Sequence, residues 1–328
     1  MALTTIGSSS GAAVEGSVAA ALRGRRTNVR GRVFEVALLA ALLTSLAILA
    51  VLISRVVIDG FPVYEDRAWP FLDGSLSGSA ERAGISQGIV GSFWIAVSVV
   101  VVAVPLGIGA AIYLEEYAPR NRLTSFIELN IRNLAGVPSV VYGLLGLAIF
   151  VEALNGFSGA GGVDRRTLAA AGITLAVLVL PIVIITTAEA IRAVPQALRE
   201  GAYGVGATRW EVIRSQVLPY AAPGILTGAL LSIARAVGEA APLIVVGAVT
   251  GFFSRGGGLD VGNVLDPSHL TDRFVALPSI VTTFAKQPEE EFRVANASAT
   301  IIAMLVFVLL VNSIAIVLRN RFEKKRSA

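Results

Sequence analysis

An all-α polytopic membrane protein with six transmembrane helices is what the sequence predicts. Of its 328 residues, 55% are hydrophobic and 15% charged, against about 25% charged in an ordinary soluble domain. Mean hydropathy is +0.74. A soluble domain with so much apolar surface would aggregate, which argues against a soluble enzyme, a nucleic-acid-binding protein or a disordered scaffold. The apolar residues gather into six stretches, each close to the roughly 20 residues that cross a bilayer.

In chain order, 1–35 reads as a disordered cytoplasmic tail, polar and rich in Arg, with Ser8-Ser9-Ser10-Gly11 near its start. Span 1, 36–57, has too long an apolar core for a cleavable signal peptide and no small-residue cleavage site after it. It is expected to remain as a signal anchor. An acidic, turn-rich external loop over 58–87 completes a first region, 36–88. Five further spans follow at 89–114, 134–151, 168–187, 221–249 and 297–318, making a core over 89–318. Between spans 2 and 3 the stretch from Arg122 to Asn133 is amphipathic and suited to the membrane interface. The segment 189–220 carries helix formers rather than linker residues. A second turn-rich loop occupies 252–294, and 319–328 is a basic tail.

Charge sets the orientation. Most Lys and Arg fall in the two tails and in the segments after spans 2 and 4, the distribution of cytoplasmic segments under the positive-inside rule. Both termini are therefore expected inside. The net charge of +4 and the pI near 9.7 reflect these loops rather than a nucleic-acid surface. With no Cys, one His (His269) and two Met, neither a disulfide framework nor a thiolate metal site is available. No metal site and no catalytic residue is expected.

Two charges break the apolar rule, Arg235 and Glu239 of span 5. Intramembrane charges are costly and usually face protein or water. Four residues apart, the two can pair on one helix face. Gly224, Gly228, Ser232, Arg235 and Glu239 share a sector of about 80°, while Leu226, Leu230 and Val237 point away. Gly224 and Gly228 fit the small-residue spacing of close helix contacts. Pro242 lacks the N–H that would engage the Gly238 carbonyl, so a break is expected there. One reading is a polar pathway in which Arg235 offers a fork of donors to an oxyanion and Glu239 holds it otherwise. The other is an ion pair that fixes helix packing. Ser232 would belong to the pathway in the first reading.

The 189–220 segment reads as a short helix through Ala202, a glycine turn at Gly204 and Gly206, and a second amphipathic piece ending at Pro219. Such a turn can dock into a partner's groove, or be an ordinary helical hairpin. Glu200-x-Ala202-x-x-x-Gly206, closed by Leu218-Pro219, resembles the EAA motif of ABC-importer permeases. Two positions depart from it: Gly201 replaces the first Ala, and Gln216 replaces an aliphatic residue. Gly91-Ser-Phe-Trp, the run from Pro105 to Ala118, that from Asn133 to Gly143 and that from Ala234 to Leu243 are similar to permeases of the phosphate-specific (Pst) transporter. Glu289-Glu-Glu-Phe and the run Asn312 to Arg321 point to the PstA-type rather than the PstC-type permease. The resemblance covers about 89–321, and not the first 30 residues.

The resemblance implies a type I ABC-importer (MetI-like) permease fold and a membrane subunit of an ATP-driven phosphate importer. Its implied partners are a PstC-type permease, a dimer of PstB-type ATPase, a PstS-type phosphate-binding protein and the lipid bilayer. Glu200, Gly201, Ala202, Gly206, Ala207, Leu218 and Pro219 would then couple to the ATPase. The chain has no glycine-rich loop ending in Gly-Lys-Ser/Thr, so ATP and Mg are expected on the ATPase and no cofactor here. Within the family, sulfate, molybdate or phosphonate remain alternative substrates, and the PstC-type paralogue an alternative identity. A secondary transporter should repeat the charged, broken span in both halves, and only span 5 carries the pair. An intramembrane enzyme needs paired carboxylates, a His cluster or an activated nucleophile, and none is evident.

Overall fold

The computed structural model describes residues 29–153, 166–248 and 258–327. Among them the regular structure is helical, apart from one isolated bridge between Thr167 and Arg273. The described residues divide into two units, one up to Arg55 and one from Val56 onward. Residues 1–28 of the expected tail 1–35 lie outside the described residues, as do 154–165 and 249–257, whereas 29–35 already belong to the first helix.

Helix α1 (Val29–Asp73) contributes to both units. In the first unit its described side chains are exposed throughout and predominantly apolar, the composition of a helix surrounded by lipid. In the second unit it extends well past the expected span end at 57, across half of what reads as an external loop. Val63 before a kink at Arg67 and Phe71 after it are both buried there, and that burial holds the two helical pieces in place. Arg67 leaves helical geometry (φ −150°, ψ 45°), one residue after the Asp66 carbonyl that the Pro70 ring displaces. Its guanidinium donates to Asn296 Oδ1 at 2.8 Å, to the Ala83 carbonyl at 3.2 Å and to the carbonyls of Ala80 and Glu81.

Helix α2 (Ser86–Ile112) continues through a π turn, Tyr113–Tyr117. Helix α3 (Arg122–Ala135) follows, its first turn capped by Asn121, which accepts from the Thr124 N–H at 2.9 Å. The expected single span over 134–151 is not formed. Helix α4 (Ser139–Gly146, extended by a π turn to Ala153) leaves α3 at 100°. Pro138 is responsible: it cannot donate, and it drives the residue before it out of the α region. Five of the described helices are long and apolar enough to cross a membrane, and the bent pair of α3 and α4 brings the number to six.

Helix α5 (Leu168–Arg192) is the most enclosed, packed by α2, by α4 and by the helix that follows the 189–220 turn. Beyond it come α6 (Gln196–Gly204), α7 (Arg209–Gly238), α8 (Ala241–Val246) and α9 (Val261–Val264). The last two are α10 (Leu277–Phe284) and α11 (Ala297–Ser327). Three apolar clusters follow α2 along its length. The first gathers Phe71, Ile85, Leu277, Ile280 and Phe292 at the Ser86 end. The second buries Val99, Leu175, Val179 and Leu243 midway. The third buries Ala111, Ile191, Val212 and Val217 near the π turn. The third cluster holds the 189–220 segment against α2 and α5.

Candidate functional site

Helix α7 ends at Gly238 and α8 begins at Ala241, with Glu239 extended between them (φ −82°, ψ 117°). The break falls at the carbonyl that Pro242 cannot engage. Arg235 occupies the last turn of α7, where a cation is favoured by the helix dipole. Its Nε lies 3.5 Å from Glu239 Oε1. The Arg235 side chain is 45% exposed and that of Glu239 23%. One long contact leaves most of the guanidinium's five donors free for an anion, in a fork suited to a tetrahedral oxyanion.

The expected small, polar sector divides. Gly224, Thr227, Leu231, Arg235 and Gly238 form the exposed face of α7, whereas Gly228 and Ser232 are buried. Helix α7 packs on α5, α11 and α2, and the edge of that contact runs through the sector, about 30° beyond Gly224 on a helical wheel. Ser232 is fully buried, its hydroxyl donating to the Gly228 carbonyl at 2.9 Å. It therefore does not share the face of Arg235. Both glycines serve close packing: a Cβ at Gly228 would stand 2.5 Å from Thr186 Cβ, and one at Gly224 2.8 Å from Ala190 Cβ. Beside the exposed face, an open groove of about 480 Å³ runs between Thr186, Glu189 and Ala190 of α5 and Pro223, Thr227 and Leu231 of α7. Leu231 is one turn before Arg235.

At the other end of α7, the 189–220 segment folds as a helix, a turn and a helix. The turn needs Gly206, whose φ is +87°, a conformation glycine adopts without steric cost. There the Gly206 N–H donates to the Tyr203 carbonyl at 2.9 Å and the Ala207 N–H to that of Ala202 at 3.1 Å, satisfying the last carbonyls of α6. Thr208 and Glu211 form a capping box that starts α7. The Thr208 backbone N–H and then its hydroxyl, both donating to Glu211 Oε2 at 2.7 Å, hold that carboxyl below the usual carboxylate range.

Glu200, Gly201 and Gly206 are exposed, and Ala202 and Ala207 are half-buried against the third cluster. Small residues fit on this underside. Tyr203, Val205 and Trp210 leave large apolar groups in solvent on the turn, with Val205 86% exposed. Leu218 and Pro219 lie apart from it. The second piece does not end at Pro219, because α7 passes through it by way of a π turn at Ile213–Val217. The Leu218 N–H reaches back to the Ile213 carbonyl, and the wider turn accommodates the proline. Leu218 packs on the third cluster.

Sequence reasoning missed the polar contacts under this segment. Arg199 of α6 donates to Glu116 Oε1 at 3.0 Å and to the carbonyls of Val194 and Ile191 at 2.8 and 2.9 Å. Arg192 lies 2.6 Å from Glu115 Oε1 and 3.4 Å from Glu128 Oε2. The signal available was the acidic pair Glu115-Glu116 closing an apolar span, with Arg192 and Arg199 seven residues apart.

Residues 103–328 match the family described as binding-protein-dependent transport system inner membrane component. The chain is 34% identical over 204 residues to the probable ABC transporter permease protein YqgI of Bacillus subtilis, covering 62% of this chain and 66% of that protein, just under two thirds of its length. It is 34% identical over 290 residues to the phosphate transport system permease protein PstA of Mycobacterium leprae, covering 85% of this chain and 86% of that one. Among solved structures, a chain of a bacterial alginate ABC transporter, in complex with alginate pentasaccharide-bound periplasmic protein, shares the fold. The TM-score is 0.57, with 14% identity, over 89% of this chain and 96% of that chain.

Proposed function

The chain belongs to the family of binding-protein-dependent transport system inner membrane components, a multi-pass permease with the MetI-like type I importer fold, and from that premise we propose that it is the permease subunit of an ATP-driven importer of inorganic phosphate. In this reading it forms half of the translocation pathway, and a PstC-type permease forms the rest. A PstB-type ATPase dimer supplies ATP hydrolysis with Mg, and a PstS-type protein delivers phosphate from outside. Both termini face the cytoplasm, which agrees with the basic tails. The names of its PstA relatives support phosphate as the substrate.

The observation that carries the reading is the Arg235–Glu239 pair beside a helix break within a span, on a face of α7 that its neighbours do not cover. Irregular backbone at membrane depth is tolerated where it is buried or lines a water-filled cavity. Arg235 binds the passing anion or its water shell, and Glu239 holds Arg235 when the path is empty. Glu200, Gly201, Ala202, Gly206 and Ala207, with the exposed Tyr203 and Val205, form the surface on which the ATPase acts. A guanidinium fork suits any tetrahedral oxyanion, so the substrate has to be tested by competition.

Arg235→Ala in the assembled transporter is expected to lower uptake of labelled phosphate at least about a hundredfold, the scale of one or two charge-assisted hydrogen bonds, while the ATPase still co-purifies. Normal uptake would remove Arg235 from the pathway. Uptake by the unmodified complex that sulfate suppresses better than phosphate would reassign the substrate.

A further inference from the structure

Three consecutive residues at the end of α2 each hold a different arginine of the 189–220 segment. Glu115 Oε1 lies 2.6 Å from Nη2 of Arg192, the last residue of α5. Glu116 Oε1 lies 3.0 Å from Nη2 of Arg199 in α6. The ring of Tyr117 faces the guanidinium of Arg209, the first residue of α7, at 4.9 Å from its centroid, within cation–π range. All three belong to the π turn Tyr113–Tyr117. A π turn holds more residues per turn than an α-helix, so three successive side chains spread over a narrower arc and reach one side together.

The middle contact is the strongest built. Glu116 is buried, and Arg199 is 20% exposed, so solvent and salt screen the pair little. Arg199 also caps Ile191 and Val194, whose carbonyls lie at the end of α5 where helix partners run out. The same guanidinium therefore binds α2, α5 and α6. Chain connectivity already joins α6 to α5 and α7, and the Glu116–Arg199 pair ties it by charge to the end of α2.

We propose that Glu115, Glu116 and Tyr117 form a three-point joint by which the α2 end moves as one body with the 189–220 segment. The proposal rests on the reading of that segment as the surface driven by the ATPase. A displacement of α6 then reaches the membrane helices through α2 as well as along the chain. Glu116 and its neighbours are positioning residues, remote from Arg235 and the anion.

The test uses the assembled transporter in proteoliposomes, with uptake and ATP hydrolysis measured together. Glu116→Gln keeps the shape and removes the charge. Its uptake per ATP hydrolysed is expected to fall about tenfold, the usual scale of a coupling free energy between sites, with complex yield and ATPase rate retained. Because the chain has no cysteine, Glu116→Cys with Arg199→Cys permits a covalent substitute for the pair. The untethered double variant should be uncoupled, and a short bifunctional thiol reagent should restore the ratio. An unchanged ratio in Glu116→Gln, parallel loss of uptake, ATPase and complex, or a tether that stops transport would each overturn the joint. If the unmodified complex took up no phosphate, the substrate reading would fail alone. The distance between spin labels at exposed Leu106 and Leu198 still tests the joint without substrate. It should not change on adding nucleotide, and a nucleotide-dependent change would overturn it.

Discussion

At Ser232 and Arg235, three residues apart on one helix, burial assigns opposite roles. Arg235 has a half-exposed guanidinium and one ion-pair contact at 3.5 Å, so its capacity to donate is largely unspent. The Ser232 hydroxyl is sealed in the α7 contact and committed to the Gly228 carbonyl. Ser232→Ala is therefore expected to leave phosphate uptake within about twofold of the unmodified chain. Its cost should be about 0.5–1.5 kcal/mol of stability, the net worth of one neutral hydrogen bond, read from thermal unfolding of the purified complex. A loss of uptake as deep as that of Arg235→Ala would return Ser232 to the pathway. The 80° sector was legible in the sequence because it needs only the helical repeat. Which part of it is covered was not, because α5, α11 and α2 decide that from outside the helix.

Among the elements, the α6–α7 turn and the α5–α7 contact both depend on glycine, for different reasons. At Gly206 nothing lies within 4 Å of an added Cβ, and the constraint is φ +87°. Gly206→Val should cost the left-handed strain, about 1–2 kcal/mol, and reshape the exposed turn without disturbing the core. The expected result is phosphate uptake reduced at least about tenfold with α-helical circular dichroism intact, because the strain is confined to a turn that packs on nothing at this position. Coupled transport at the normal rate would count against docking there. At Gly228 the constraint is contact, with Thr186 Cβ 2.5 Å from an added Cβ. Gly228→Leu should push α7 from α5 and destabilise the chain by about 1–3 kcal/mol, the cost of overpacking. A lowered melting temperature in detergent checks it, and an unchanged one would show that Thr186 yields freely. The turn at Gly206 and the break at Pro242 could be read from single residues, whereas the end of the second amphipathic piece could not. Pro219 is a stop signal in isolation, and the π turn before it, fixed by the packing of Val212, Ile213 and Val217, carries the helix through.

At the scale of the whole molecule, the proposed topology puts each loop on one side of the membrane. Val205 on the α6–α7 turn and Leu265 beyond α9 are both exposed and fall on opposite sides of the membrane under the positive-inside assignment. In a chain without cysteine, single Cys substitutions report this directly. A membrane-impermeant thiol reagent added to intact cells should label Leu265→Cys and spare Val205→Cys until the cells are opened. The reverse pattern would invert the topology and detach the turn from a cytoplasmic ATPase.

Membrane residence, the apolar segments, the charge pair within span 5, the glycine turn and the proline break were determined by the sequence alone. Each follows from composition, or from the chemistry of a residue and its immediate neighbours. Only the tertiary structure decided that α3 and α4 meet at 100°, that α1 continues past a kink at Arg67 to Asp73 with Val63 and Phe71 buried, and that Ser232 is sealed while Arg235 is open. It alone placed Glu115, Glu116 and Tyr117 against Arg192, Arg199 and Arg209. Those contacts join residues about 80 or more positions apart, Glu116 and Arg199 being 83 apart. A helical repeat cannot encode such partners, because only the packing of α2 against α5 brings the two ends within hydrogen-bond reach.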